Sequence, residues 1–190
     1  MPTLTPRFDA AFAYAHEAHA SQVRKGSGAP YVGHLMGVAS IVIDDGGSED
    51  EAIAALLHDA AEDSGGRERL DDIRARFGDG VAQIVEDCTD AWTQPKPPWL
   101  KRKRQYAEHA RTLAPASLRV SAADKVHNAY AILRDLRNTG ERVWERFSAK
   151  PDDIVAYYQS LVRSYRAAGG GRLVDELDRI VRAIEREMGY

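Results

Sequence analysis

Ala54-Ala55-Leu56-Leu57-His58-Asp59-Ala60-Ala61-Glu62-Asp63, closed by Ser64-Gly65-Gly66, is the stretch from which the fold of this chain is read. Its first half is rich in Ala and Leu, apolar on most sides, and predicts a buried helix. Its second half puts one imidazole and three carboxylates on the last turns, with glycines just beyond, where helices commonly stop. A helix C-terminus carries partial negative charge, so Asp59, Glu62 and Asp63 stand where anions are disfavoured unless a cation sits against them. Helical spacing puts His58 and Glu62 on one face and Asp59 and Asp63 on the neighbouring one. A metal site is the first reading. A solvated acidic helix end is the alternative, and it leaves the apolar lead-in and the adjacent His-Asp pair unexplained.

Working outward, Ser48-Glu49-Asp50-Glu51 matches a capping box that starts this helix. Upstream, Arg7 to Gln22 has apolar residues at helical spacing, and Pro30-Tyr31 opens a second helix running to about Ile43. Between them lies a basic, glycine-containing loop from Val23 to Pro30. Downstream, helices are predicted over 70–77 and 79–88, with Gly78 as the break. Pro95, Pro97 and Pro98 exclude a continuous helix from Thr89 to Trp99. Lys101-Arg102-Lys103-Arg104 begins the next helical segment, which Ala114-Pro115 ends. A long helix then runs through Leu118 to Asn128 towards Arg137, followed by a short segment from Arg142 to Phe147 and a helix from Asp152 to Arg166. Gly169-Gly170-Gly171 reads as a linker to a final amphipathic helix, Leu173 to Met188. No strand alternation and no fixed-period repeat is apparent, so the fold class is all-α.

Composition narrows the function classes. A formal net charge of -3 over 190 residues carries no nucleic-acid-binding signature, so any anion site must be local. Cys88 is the only cysteine, which excludes intrachain disulfides and a CxxC site. Met1 to Asp9 lacks a basic region followed by an apolar run, and no stretch approaches membrane-spanning length. A soluble, cytoplasmic protein without a membrane partner is the expectation; the oligomeric state is left open.

His34, His58, Asp59 and Asp124 come from three separate predicted helices and together offer two imidazoles and two carboxylates. That set suits a divalent first-row metal, and octahedral completion by water favours manganese or iron over a closed structural zinc. An open position on such a metal lowers the pKa of a bound water towards neutrality. Each residue alone is weak: a lone His near a helix start is more often structural, and Asp124 has Lys125 and Arg119 close by as ordinary ion-pair partners.

The ordered series Ala18-His19-Ala20-Ser21-Gln22-Val23-Arg24-Lys25, Pro30-Tyr31-Val32-Gly33-His34, the central stretch, Phe77-Gly78, Thr89-Asp90 and Ala123-Asp124-Lys125-Val126-His127-Asn128 resembles the HD-domain metal-dependent phosphohydrolases. Within them the likeness is to the hydrolase domain of the RelA/SpoT alarmone enzymes, and above all to the stand-alone small alarmone hydrolases of the Mesh type. It runs from about Phe8 to Tyr158. The resemblance implies an HD-type helical domain over 1–168, with 169–190 a linker and C-terminal helix packed on it. It implies one manganese ion between helices, held by His34, His58, Asp59 and Asp124, and removal of the 3′-pyrophosphate of ppGpp or pppGpp to give GDP or GTP plus pyrophosphate. By position, Glu62 and Asp63 match the pair that places or activates the attacking water, and Asn128 matches a polar residue beside metal and ribose. Arg24 and Lys25 match the basic pair lining the nucleotide pocket, Lys96 a substrate-facing lysine, and Tyr157 an aromatic position beside the nucleotide for which core packing is nearly as good a reading.

From the basic run, Lys101 and Arg104 are taken as pyrophosphate contacts, against a solvated helix start for at least two of its four residues. His16, His19, His109 and His127 have no partner pattern and read as ordinary surface or core histidines. Leu35 departs from the proline common after the first histidine ligand, and the sequence ends without the synthetase domain of long members. Two other readings stay open: phosphohydrolysis of another nucleotide, such as the 2′-phosphate of NADPH or a nucleoside monophosphate, and a non-catalytic alarmone-binding module.

Overall fold

The computed structural model describes residues 3–63, 65–93 and 95–189, so Ser64 of the central stretch and Gln94 of the Pro-rich stretch lie outside the described residues. Helices are its only regular elements: no strand occurs among the described residues, and a lone antiparallel bridge between Val23 and Pro30 pinches the basic loop. The all-α expectation holds.

Helix α3 (Glu49–Leu57) lies at the centre. The capping box forms as expected: Glu51 N donates to Ser48 Oγ at 3.3 Å, and Ser48 N donates to the Glu51 carboxylate at 2.7 Å. Every residue from Ala52 to Leu57 is at most 1% exposed. An Ala/Leu helix with no polar stripe is stable in water only when surrounded. Here α1 (Pro6–Ala18), α2 (Val32–Asp44), α6 (Asp79–Cys88) and α8 (Pro115–Thr139) surround it, and α5 (Gly66–Phe77) covers α6.

Helix α8 belongs to both halves of the interior. Val120 and Ala123 pack into the core around α3, whereas Leu118, Ala122, Val126, Ala129 and Leu133 pack into a second core. That second core is shared with α7 (Trp99–His109), α9 (Pro151–Ala167) and α10 (Arg172–Glu187). Helix α10 buries Leu177, Ile180 and Ile184 against α8 and α9. A residue of α8 at the seam of the two cores can therefore meet side chains from either side. No helix among the described residues is long and apolar enough to cross a membrane.

Boundaries differ from the sequence reading where the chain makes non-local bonds. Helix α1 stops at Ala18 rather than Gln22, because Gln22 closes the basic loop: its carbonyl accepts from Tyr31 N at 2.9 Å. Pro115 opens α8 instead of ending the preceding segment, which finishes in a 3-10 turn at Ala110–Thr112. A proline loses nothing in the first turn of a helix, where its missing N–H would be unpaired anyway.

Candidate metal centre and cleft

The central stretch is not one helix. Helix α3 ends at Leu57, and after His58 and Asp59 a short helix α4 (Ala60–Asp63) resumes. The expected shared faces over one continuous helix are corrected accordingly. The local cause is visible: the His58 imidazole turns back, and its Nδ1 meets the Ala55 carbonyl at 2.8 Å, occupying an acceptor that a continuing helix would use for backbone. A carbonyl only accepts, so His58 carries a proton on Nδ1, and in the neutral ring Nε2 is a bare lone pair. The break points His58 and Asp59 into the space between α2, α3 and α8.

His34 enters the same space from the first turn of α2, and Asp124 from α8. His58 Nε2 lies 3.0 Å from Asp59 Oδ2 and 3.5 Å from Asp124 Oδ1; His34 Nε2 lies 3.2 Å from Asp124 Oδ1 and 3.7 Å from Asp59 Oδ2. One donor atom each from His34, His58 and Asp59 falls within a mutual 4.8 Å. Both Nε2 atoms are buried without an aligned hydrogen bond among the described residues. Bare imidazole lone pairs facing carboxylate oxygens repel unless a cation or a proton lies between them. The electrostatics say the same: burial disfavours charge on His58, yet Asp59 and Asp124 outweigh it and raise its pKa well above the usual value. For His34 burial prevails and pulls the pKa down, against the opposing pull of Asp124. Burial works against ionised Asp124, but Lys125, His34 and His58 together hold it well below the usual carboxylate range. Two nitrogens and two carboxylates at these spacings fit a divalent first-row cation.

A further ring of contacts orients these donors. Tyr31 Oη donates to Asp59 Oδ2 at 2.6 Å, Asn128 Nδ2 donates to Asp124 Oδ1 at 2.6 Å, and Lys125 Nζ donates to Asp124 Oδ2. Arg119, the other partner considered for Asp124, is engaged elsewhere, with Asp45 and Glu51. His34 Nδ1 lies 2.9 Å from His127 Nδ1. His127 is thus no ordinary histidine, contrary to the sequence reading. Burial, with the nearby His34 and Arg24, lowers its pKa to about 4. His16 is exposed, whereas His19 is buried, stacks on Tyr31, meets Gln22 Oε1 through Nδ1 at 2.6 Å, and has no hydrogen-bond partner for Nε2 among the described residues.

Glu62 and Asp63 stand together one turn beyond Asp59. Lys96 Nζ bridges them, at 2.6 Å from Glu62 Oε1 and 3.0 Å from Asp63 Oδ1. Asp90 N donates to Glu62 Oε2 at 3.1 Å, and Gln22 Nε2 donates to Asp63 Oδ2 at 2.9 Å. Burial raises the Glu62 pKa, with Asp90 adding to the effect and Lys96 opposing it. Lys96, expected to face a substrate, is instead engaged by this acid pair.

Asp59 and Asp124 line a cavity of about 440 Å³. Arg24 and Lys25 line it, and Arg24 Nη2 donates to Asn128 Oδ1 at 3.0 Å, tying the basic loop to the helix that carries Asp124. Tyr157 is buried and also lines the cavity, and its hydroxyl has no hydrogen-bond partner among the described residues. Lys101 and Arg104 are exposed and outside the cavity lining, which corrects their expected place. The reason is helical phase: α7 buries Tyr106 and Ala107, so the residue one turn earlier, Lys103, faces inward. Lys103 bonds Asp90, and its Nζ lies 5.3 Å from the Tyr157 ring centroid. The buried pair 106–107 was the signal that could have selected Lys103. Lys125 and Arg146 also line the cavity; no local pattern marks Arg146, which reaches it from a 3-10 segment, Gly140–Arg146.

The HD-domain sequence profile matches residues 11–155. The guanosine-3′,5′-bis(diphosphate) 3′-pyrophosphohydrolase MESH1 of Xenopus tropicalis is 40% identical over 134 residues, 69% of this chain and 70% of that protein. Its Homo sapiens counterpart is 39% identical over the same shares. A solved structure described as "A metazoan ortholog of SpoT hydrolyzes ppGpp and plays a role in starvation responses" superposes with a TM-score of 0.77 at 27% identity, covering 96% of this chain and 97% of its own.

Proposed function

The chain belongs to the HD-domain family of RelA/SpoT-type hydrolases, and from that premise we propose that it removes the 3′-pyrophosphate of ppGpp and pppGpp at one manganese ion. The observation that carries the metal part is the pair of Nε2 atoms on His34 and His58, buried without a hydrogen-bond partner among the described residues and set against Asp59 and Asp124. The substrate part rests on the relatives, among them the two MESH1 proteins named for this activity.

His34, His58, Asp59 and Asp124 would hold the metal, which when bound supplies Lewis-acid polarisation and eases loss of a proton from water. The remaining steps fall to side chains of the cleft. Glu62 is the general base: half-buried, partly neutralised by Lys96, and one turn beyond the donor Asp59. It takes the proton as the water oxygen bonds to the phosphorus nearest the ribose. The bond from that phosphorus to O3′ breaks, pyrophosphate departs with the new oxygen, and O3′ takes up a proton to become a hydroxyl. Asn128, fixed by Arg24 and Asp124, orients the ribose edge. Arg24, Lys25, Lys103 and Arg146 give the cavity the cations that a multiply charged nucleotide requires.

Purified protein with manganese and ppGpp, its products separated by anion exchange, tests this directly. GDP and pyrophosphate should appear only when metal is present. A folded, metal-loaded protein that leaves ppGpp intact would overturn the substrate assignment, and NADPH and nucleoside monophosphates assayed alongside would then identify the reaction. Within the cleft, Lys103→Met is expected to raise KM about tenfold, the worth of one charge-assisted contact, while Lys101→Met leaves KM unchanged. Equal effects of the two substitutions in steady-state kinetics would remove Lys103 from the substrate wall.

A further inference from the structure

His34 and Gly37 lie one turn apart on α2, and Asp124 and His127 one turn apart on α8. Where the two helices pack, these pairs meet: His34 against Asp124, and Gly37 against the His127 ring. A Cβ on Gly37 would stand 2.4 Å from His127 Nε2 and 2.5 Å from Cδ2, so a side chain there would displace the ring. Glycine inside a helix is less favourable than alanine. The close seating of the ring accounts for a glycine in mid-α2.

That seating has a consequence for His34. With ring centroids 4.8 Å apart, the two Nδ1 atoms come within 2.9 Å, a distance at which they share one proton. When His34 holds that proton, its Nε2 is a bare lone pair directed at Asp59 and Asp124, the state His58 reaches through the Ala55 carbonyl. We infer that His127 is a positioning residue of the metal centre: it accepts the Nδ1 proton of His34, fixing the tautomer and ring orientation that leave Nε2 free for a cation, and the missing side chain at Gly37 makes this possible. The inference rests on the metal-centre part of the proposed function and not on the substrate.

Titration of metal-free protein with Mn2+, alongside the thermal midpoint of the apo form, is the test. His127→Phe keeps a ring over Gly37 but removes the acceptor; Mn2+ affinity should fall about 10–100-fold, the range for loss of such an outer partner, with the apo midpoint held. His127→Asn places an oxygen where Nδ1 was and should restore affinity to within a few-fold of the parent. Gly37→Ala should weaken Mn2+ binding in the parent but leave it unchanged in a His127→Ala background, where the ring it displaces is gone. Parent-like affinity in His127→Phe overturns the inference, as does a Gly37→Ala loss that persists without the ring. His34→Ala separates the two levels: if it retains Mn2+, the metal-centre reading itself fails; if it loses Mn2+ while His127→Phe does not, only the positioning role fails.

Discussion

Asp59→Ala is expected to lose manganese and turnover together. Asp59 Oδ2 lies 3.0 Å from His58 Nε2 and 3.7 Å from His34 Nε2, so it closes one side of the donor set. Removing it leaves two imidazoles and Asp124, and also strands the Tyr31 hydroxyl that donates to it. Loss of a direct donor should exceed the roughly 100-fold ceiling for outer partners, so the variant should emerge from gel filtration without stoichiometric metal. A second readout is independent of catalysis. Manganese at about 100 times its Kd should stabilise the parent by about 2.7 kcal/mol, raising Tm, whereas the variant should show no such rise. A variant with full metal content and a parental Tm shift would strike Asp59 from the ligand set.

Glu62→Gln should separate metal from chemistry. The substituted amide keeps a carbonyl oxygen for the Asp90 N–H but cannot take a proton, so metal content should stay and kcat should fall about 10²–10⁴-fold. The pH profile carries the sharper signature. A base works when ionised, so activity is present above the Glu62 pKa and is lost as pH falls through it. Burial and Asp90 place that pKa above the ordinary glutamate value, so the acid limb should lie correspondingly high. Lys96 opposes the shift, and Lys96→Met should therefore move the limb to still higher pH. An unmoved limb in Lys96→Met, or near-parental kcat in Glu62→Gln, would place water activation elsewhere.

Much of this was legible along the chain. The Ala/Leu run from Ala52 to Leu57 could be stable only if enclosed, and it is enclosed; the Ser48–Glu51 box starts that helix as its residue types require. The four candidate donors were legible because their chemistry narrows the choice, and the fold brings them together. Misreadings cluster where a side chain answers to another helix. The Lys101–Arg104 run gives its charge but not its phase, and phase is set by Tyr106 and Ala107 sinking into the second core. Lys96 is engaged by Glu62 and Asp63 from 33 or more positions away, through a Pro-rich segment without periodicity.

The sequence by itself determined the helical class, most helix positions and the chemical character of the site, because helix periodicity, caps and donor types depend on neighbours within a turn or two. The tertiary structure decided the rest. It broke the central helix at His58–Asp59, turned Lys103 rather than Lys101 inward, and set His127 against His34 across a glycine. Those outcomes depend on how α2, α7 and α8 pack against the shared cores, and a packing phase is a property of the whole interior rather than of any one stretch.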